Sequence, residues 1–337
     1  MADYSIYGGP SEDWLAVEAD VPALPTGLPV LETQKLTNEM RSKRAKDAMV
    51  ALADKVKIQD LTIPARDGYS LEARTYLSAA EAAAAGDQKR PTYLHLHGGG
   101  FLLGTIDAED ATCSRMALDT GALVLSLNYR HTPQWTYPTA WHDVQDAFLW
   151  IHQHIADLGR DSSRVLMGGI SAGAWLTASF TMEMNGGRIE RLAGLPPVAG
   201  QVLMIPPVVH PDCYGPQLRR LREGAVSSYV ENEFAPLLPA ARGRLFCELL
   251  QVEDPREDDT NLNPGNATAA QARKAAADYV WGFVPTNIHV FKGLPHGFHS
   301  VGDKLKASAH WATVMHGGIK WALEQPKASG KFDVTVW

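Results

Sequence analysis

The stretch Val165–Trp175, VLMGGISAGAW, is an apolar run that breaks abruptly into Gly-x-Ser-x-Gly. Three small residues at Gly169, Ser171 and Gly173 are a weak pattern alone. Context strengthens it, because a β-type run enters the pattern and a helix-forming run, Ala172–Met184, leaves it. A strand turning directly into a helix needs glycines where backbone meets backbone, and it lifts the serine between them above the sheet. The helix N-terminus beneath would aim unpaired N–H groups at any negative charge developing there. The spacing predicts Ser171 as a nucleophile, against the plain alternative of a glycine-rich turn with an incidental serine.

Upstream, Leu94–Gly104 reads LHLHGGGFLLG. Consecutive glycines after a buried strand cost conformational entropy and pack nothing, so their use lies in exposed backbone N–H groups. Two N–H groups from Gly98 to Gly100, with that of Ala172, would form an oxyanion hole. His95-x-His97 could place two imidazoles on one strand face. No further ligand follows at short spacing, so no metal site is expected.

The remaining pattern alternates. Lys57–Ile63 and Ser70–Leu77 read as strands joined at Asp67-Gly68, a hairpin signal. Thr92–His97, Ala122–Asn128, Arg164–Met167, Gln201–Ile205 and Asn287–Phe291 are further strands, with helices over Thr139–Ile155 and Ala172–Met184 and a last one over Lys304–Leu323. That order predicts an α/β fold, a mostly parallel sheet with helices on both faces. Residues 210–251, with Pro236 and Pro239, interrupt it and read as a cap insertion. The expected organisation is an N-terminal segment 1–56 contributing to the cap, a core 57–209, the cap 210–251 and the rest of the core 252–337. Helical spacing over Leu31–Val56 puts Arg41, Lys43, Arg44 and Lys46 on a solvated face.

Composition excludes several classes. The chain of 337 residues is 45% hydrophobic with net charge −7 and no basic run, so nucleic acid and anionic membrane are poor partners. No apolar stretch reaches a membrane span, and the N-terminus lacks a positive region before an apolar core, which argues against a secretory signal. Cys113, Cys213 and Cys247 are odd in number and widely spaced, as expected of free thiols in a reducing, cytoplasmic setting.

His97-Gly98-Gly99-Gly100 followed by Gly169-Ile170-Ser171-Ala172-Gly173 resembles the hormone-sensitive-lipase-type esterases of the α/β-hydrolase fold. Asn128, Tyr129, Arg130, Pro133, Pro138, Ala140 and Asp143 resemble a structural segment of that family. The opening YGGPSEDWL is most similar to its fungal branch. The resemblance spans Lys57 to the C-terminus, with Ile170 where an Asp is usual and Gln134 where a Glu is usual. It implies that His296, in His296-Gly297-Phe298, is the general base, with His299 as fallback. It implies hydrolysis of short-to-medium acyl or aryl esters, including secondary metabolites, without metal or organic cofactor. A small-molecule ester is then the expected partner; nothing indicates the oligomeric state. His97, Gly98, Gly99 and Ala172 would bind the oxyanion, and Phe101 and Trp175 would serve as pocket walls or as core. The rival is a small-molecule binder or cyclase on the same scaffold. An interfacially activated lipase is disfavoured by the lack of an extended apolar lid.

The same resemblance implies a penultimate strand ending in an Asp that orients the histidine. No β-type run occurs between Leu250 and Tyr279, so that strand and its acid loop are expected to be missing. Four accounts compete. Asn266 stands where the family spacing places the acid. Asp254 or Asp259, both in the acidic run VEDPREDD, is a substitute. Asp278, near a helix end, is another. Alternatively the chain is a shortened product that lost strand and acid together. Serine proteases lose about 10⁴ in kcat without the triad Asp but about 10⁶ without Ser or His, so a missing acid slows a hydrolase rather than abolishing it.

Overall fold

The computed structural model describes residues 5–21, 27–83, 90–221, 224–275, 285–326 and 333–337. Strands β1 (Val56–Pro64), β2 (Ser70–Ser78), β3 (Arg90–Leu96), β4 (Leu123–Asn128), β5 (Arg160–Ile170) and β6 (Gly200–Met204) form one sheet in the order β1-β2-β4-β3-β5-β6. β1 and β2 form the expected antiparallel hairpin at Asp67-Gly68, and β2 meets β4 antiparallel. The pairs from β4 through β3 and β5 to β6 are parallel.

The main helices are α1 (Val30–Met49), α2 (Asp110–Thr120), α3 (Thr139–Gln153), α4 (Ala172–Asn185), α5 (Ala240–Glu248), α6 (Ala269–Ala275) and α7 (Lys306–Leu323). Consecutive strand residues point to opposite faces, so near-continuous apolar runs imply cover on both sides. Leu94, Leu125 and Met167 pack with Phe148 of α3 and Phe180 of α4 on one face. Tyr93, Val124 and Leu166 pack with Met116 of α2 and Ile319 of α7 on the other. Parallel strands deliver their following loops to one edge of the sheet. The glycine loop after β3 and Ser171 after β5 therefore arrive side by side.

Two features differ from expectation. Helix α1 stops at Met49 instead of running to Val56, because Val56 already pairs with Ser78 in the hairpin. Strand β7 (Asn287–Val290) does not pair with β6; its backbone finds partners in β8 (Asp333–Val336), a strand absent from the sequence reading. Among the described residues no strand lies between β6 and β7, and that edge of β6 is unpaired. Residues 210–251 supply short helices, Gly215–Leu218 and Ser228–Glu231, together with α5. No described helix is long and apolar enough to cross a membrane.

Candidate active site

Ser171 sits at the junction of β5 and α4 with φ 53 and ψ −114. A non-glycine residue there stores on the order of 1–3 kcal/mol, which the surroundings must offset. The Ser171 N–H donates to the Met204 carbonyl at 2.8 Å, tying the turn to the end of β6. The glycines on either side are close-approach residues. A Cβ on Gly173 would lie 2.0 Å from the Leu96 carbonyl oxygen, and one on Gly169 would lie 2.4 Å from the Gly173 carbonyl carbon.

The glycine loop is built just as tightly. Gly99 has φ 142, and its Cβ would lie 1.9 Å from the Leu103 carbonyl oxygen. Phe246 of α5 covers Gly100, where a Cβ would meet its ring at 2.0 Å. The N–H groups of Gly98, Gly99 and Ala172 donate to no acceptor among the described residues. They remain available for a developing oxyanion at the N-terminus of α4.

What holds this loop comes from α1. Gln34 Nε2 donates to the Leu102 carbonyl at 2.8 Å, Asn38 Oδ1 accepts the Gly104 N–H at 2.8 Å, and Arg41 Nη1 donates to the Gly98 carbonyl at 3.1 Å. These residues recur at helical spacing and form a polar stripe facing the loop. Arg41 also pairs with Glu109 at 3.1 Å, and Glu109 meets His95 Nε2 at 3.0 Å. Burial alone would raise the Glu109 carboxyl, but His95 and Arg41 hold it down at about 2. From below, the Tyr129 hydroxyl donates to the His97 carbonyl at 2.8 Å.

His296 Nε2 lies 2.9 Å from Ser171 Oγ. Burial pushes this imidazole down to about 4, with no charged neighbour among the described residues to oppose it. No carboxylate among the described residues bonds to its other nitrogen. The structure thus brings Ser171, His296 and the glycine loop together, and no carboxylate among the described residues joins them.

The family model for the alpha/beta hydrolase fold matches residues 93–278. The chain belongs to that family. An ethyl acetate hydrolase of Pseudomonas putida is 31% identical to this α/β hydrolase over 263 residues, covering 73% of this chain and 77% of that protein. Esterase LipI of Mycobacterium tuberculosis is 28% identical, covering 71% and 69% respectively. Among solved structures, a vibralactone cyclase superposes with TM-score 0.80 at 20% identity over 97% of this chain and 98% of its own. A bacterial heroin esterase does so with TM-score 0.72 at 22% identity over 94% and 99%. At these identities the superpositions establish the shared fold.

The hydrolase corrects several residue assignments. Asp259 does not reach His296. Its carboxylate accepts the Tyr137 hydroxyl at 3.2 Å and the N–H groups of Asn261 and Leu262, fixing a turn. Asp254 is exposed and makes no hydrogen bond to His296, while Asp278 falls outside the described residues. Asn266 is committed elsewhere, donating to the Cys213 and Glu257 carbonyls at 3.0 Å. His97 contributes backbone only: its ring is buried beneath the loop, with Nδ1 3.1 Å from the Gly98 carbonyl oxygen, stacked on Tyr129 and held neutral by burial at about 4. His299 stacks on Trp311 and is not placed at Ser171. Phe101 and Trp175 are each 2% exposed and pack on Trp141, so they are core and not pocket walls.

Arg41, read from sequence as solvated, turns inward. Tyr129 and Glu109 were not singled out as site residues. The one sequence signal for the α1 stripe is the recurrence of Gln34, Asn38 and Arg41 on one helix face.

Proposed function

We propose that this carboxylic ester hydrolase works through an acyl-enzyme on Ser171. The observation that carries the proposal is the 2.9 Å approach of His296 Nε2 to Ser171 Oγ at a strained strand-to-helix turn. Ser171 donates its proton to neutral His296 as Oγ bonds to the ester carbonyl carbon. The resulting oxyanion takes hydrogen bonds from the N–H groups of Gly98 or Gly99 and Ala172. The imidazolium returns the proton to the leaving alcohol as the carbon–oxygen bond breaks. It then deprotonates a water that releases the acid. No step calls for a metal or an organic cofactor.

The likeness to an ethyl acetate hydrolase supports short acyl esters as substrates, and the ring of Phe246 over Gly100 supports a small acyl group on that side. Turnover of p-nitrophenyl butyrate by the full chain, beside Ser171→Ala and His296→Ala, tests the proposal. A burst of nitrophenol stoichiometric with enzyme is expected for the parent and for neither variant. Equal turnover by parent and Ser171→Ala would overturn it. A second reading, a binder that turns over poorly, is favoured by the lack of a carboxylate at His296 among the described residues. It predicts ester binding without a burst.

A further inference from the structure

Gly98 and Gly99 have no side chains, so the direction of their N–H groups is set by whatever holds the backbone. The Gly98 carbonyl oxygen meets His97 Nδ1, from its own turn, and Arg41 Nη1, from α1, each at 3.1 Å. Arg41 is the contact that reaches the loop from a separate element. A long side chain on a helix has many rotamers to lose before it can aim one nitrogen, so the guanidinium itself needs a hold. Glu109 supplies it, from the short turn Asp107–Glu109 just ahead of α2. Its Oε1 accepts Arg41 Nη2 at 3.1 Å, and its Oε2 lies 3.0 Å from His95 Nε2. An ionised carboxylate only accepts, so His95 Nε2 carries the proton of that bond.

These contacts close a ring. His95 lies on β3, so the path His95–Glu109–Arg41–Gly98 leaves that strand and returns to the loop in which it ends. A guanidinium is planar, with fixed angles between its nitrogens, so pinning Nη2 on a carboxylate fixes where Nη1 points. The turn is braced on α1 as well: Ser42 Oγ lies 2.9 Å from Thr105 Oγ1, which accepts the Ala108 N–H at 3.2 Å. Glu109 is 4% exposed and His95 is fully buried. A buried ionised carboxylate is costly to desolvate, and apolar residues of similar volume often stabilise a fold as well or better. Stability alone therefore does not call for a charge at this position, whereas aiming Arg41 does. A cation on the Gly98 oxygen also polarises that peptide, which strengthens the Gly99 N–H as a donor.

We propose that Glu109 is a positioning residue for the oxyanion hole, acting through Arg41 on the Gly98–Gly99 peptide while His95 holds its second oxygen. This rests on the acyl-enzyme reading above. Glu109 moves no proton in the reaction, so its effect is confined to steps in which an oxyanion forms or collapses.

Hydrolysis of p-nitrophenyl butyrate and inhibition by 1,1,1-trifluoropentan-2-one are measured for the full chain and for Glu109→Gln, Arg41→Gln and the double variant. The ketone reports the oxyanion directly: Ser171 Oγ bonds to its carbonyl carbon, His296 takes the serine proton, and the carbonyl oxygen becomes the oxyanion. Losing an oxyanion donor outright costs about 10²–10³ in kcat, so loosening its anchor at one remove in Glu109→Gln should cost about fivefold in kcat with KM held within about twofold. Affinity for the ketone should weaken by a similar factor. The double variant should be no slower than Arg41→Gln, because both residues act on one peptide. Arg41→Lys keeps a positive charge beside Glu109 but lacks the planar fork, so it should unfold like the parent in urea and turn over as slowly as Arg41→Gln. That variant decides the matter if Glu109→Gln does not fold. Parental kcat and ketone affinity in folded Glu109→Gln, losses that multiply in the double variant, or a parental rate in Arg41→Lys each overturn the positioning role. They spare the acyl-enzyme as long as Ser171 takes a fluorophosphonate. A folded parent whose Ser171 does not label overturns both.

Discussion

Arg41 Nη1 donates to the Gly98 carbonyl at 3.1 Å, so a residue of the N-terminal helix sets the orientation of the Gly98–Gly99 peptide. In a trans peptide the C=O and the following N–H point in opposite directions. Anchoring the Gly98 oxygen toward α1 turns the Gly99 N–H away from α1, to the side where an oxyanion can use it.

Arg41→Gln should therefore lower kcat more than it changes KM. Losing one oxyanion donor outright costs about 10²–10³ in kcat, and loosening one should cost roughly tenfold or more. Steady-state kinetics with p-nitrophenyl butyrate check this. A rise in KM at constant kcat would assign Arg41 to substrate binding instead.

The acid limb of kcat/KM should fall near pH 4 to 5. His296 acts as a base only when neutral, and burial lowers its pKa to about 4, which extends the neutral range downward. Flat kcat/KM between pH 7 and 5.5 is expected. Half-loss at pH 6.5 or above would reveal a carboxylate that raises the imidazole.

Stability should fall as pH drops from about 6.5 toward 4. Burial holds His97 at about 4 and His131 well below its usual value, so both stay neutral in the fold. Their unfolded counterparts take up protons near pH 6.5, which makes unfolding easier as pH falls; each proton contributes a slope approaching ~1.4 kcal/mol per pH unit. Urea unfolding at pH 7 and 4.5 measures it. His131→Gln should reduce the slope by about one proton, and an unchanged slope would contradict the assignment.

Asp259→Asn should leave kcat within about twofold and lower stability by ~1 kcal/mol, because its carboxylate holds the Tyr137 hydroxyl and a turn. Asp254→Asn should change neither. A loss of kcat near 10⁴ in Asp259→Asn would restore it as the triad acid.

The sheet was legible where burial writes long apolar runs, as in Leu94, Leu125 and Met167. Ser171 and His296 were legible because their motifs demand small residues at fixed places, and the contacts beneath Gly169 and Gly173 show why. Strand β8 was not, since four residues, Asp333–Val336, carry too little alternation to separate from coil. Arg41 was misread because polar residues on a helix are normally solvated, whereas here the inward stripe is polar and meets bare loop carbonyls. Phe101 and Trp175 show that a large ring near a motif does not reveal whether it lines a pocket or fills the core. The acid could not be read because no carboxylate among the described residues reaches the histidine.

The central claim, that His296 activates Ser171, is tested most directly by intact-mass measurement after exposure to a fluorophosphonate. The account predicts one adduct on the folded parent chain, none on Ser171→Ala, and labelling slowed by orders of magnitude in His296→Ala. A folded parent that takes no label, or a His296→Ala variant that labels at the parent rate, would contradict it.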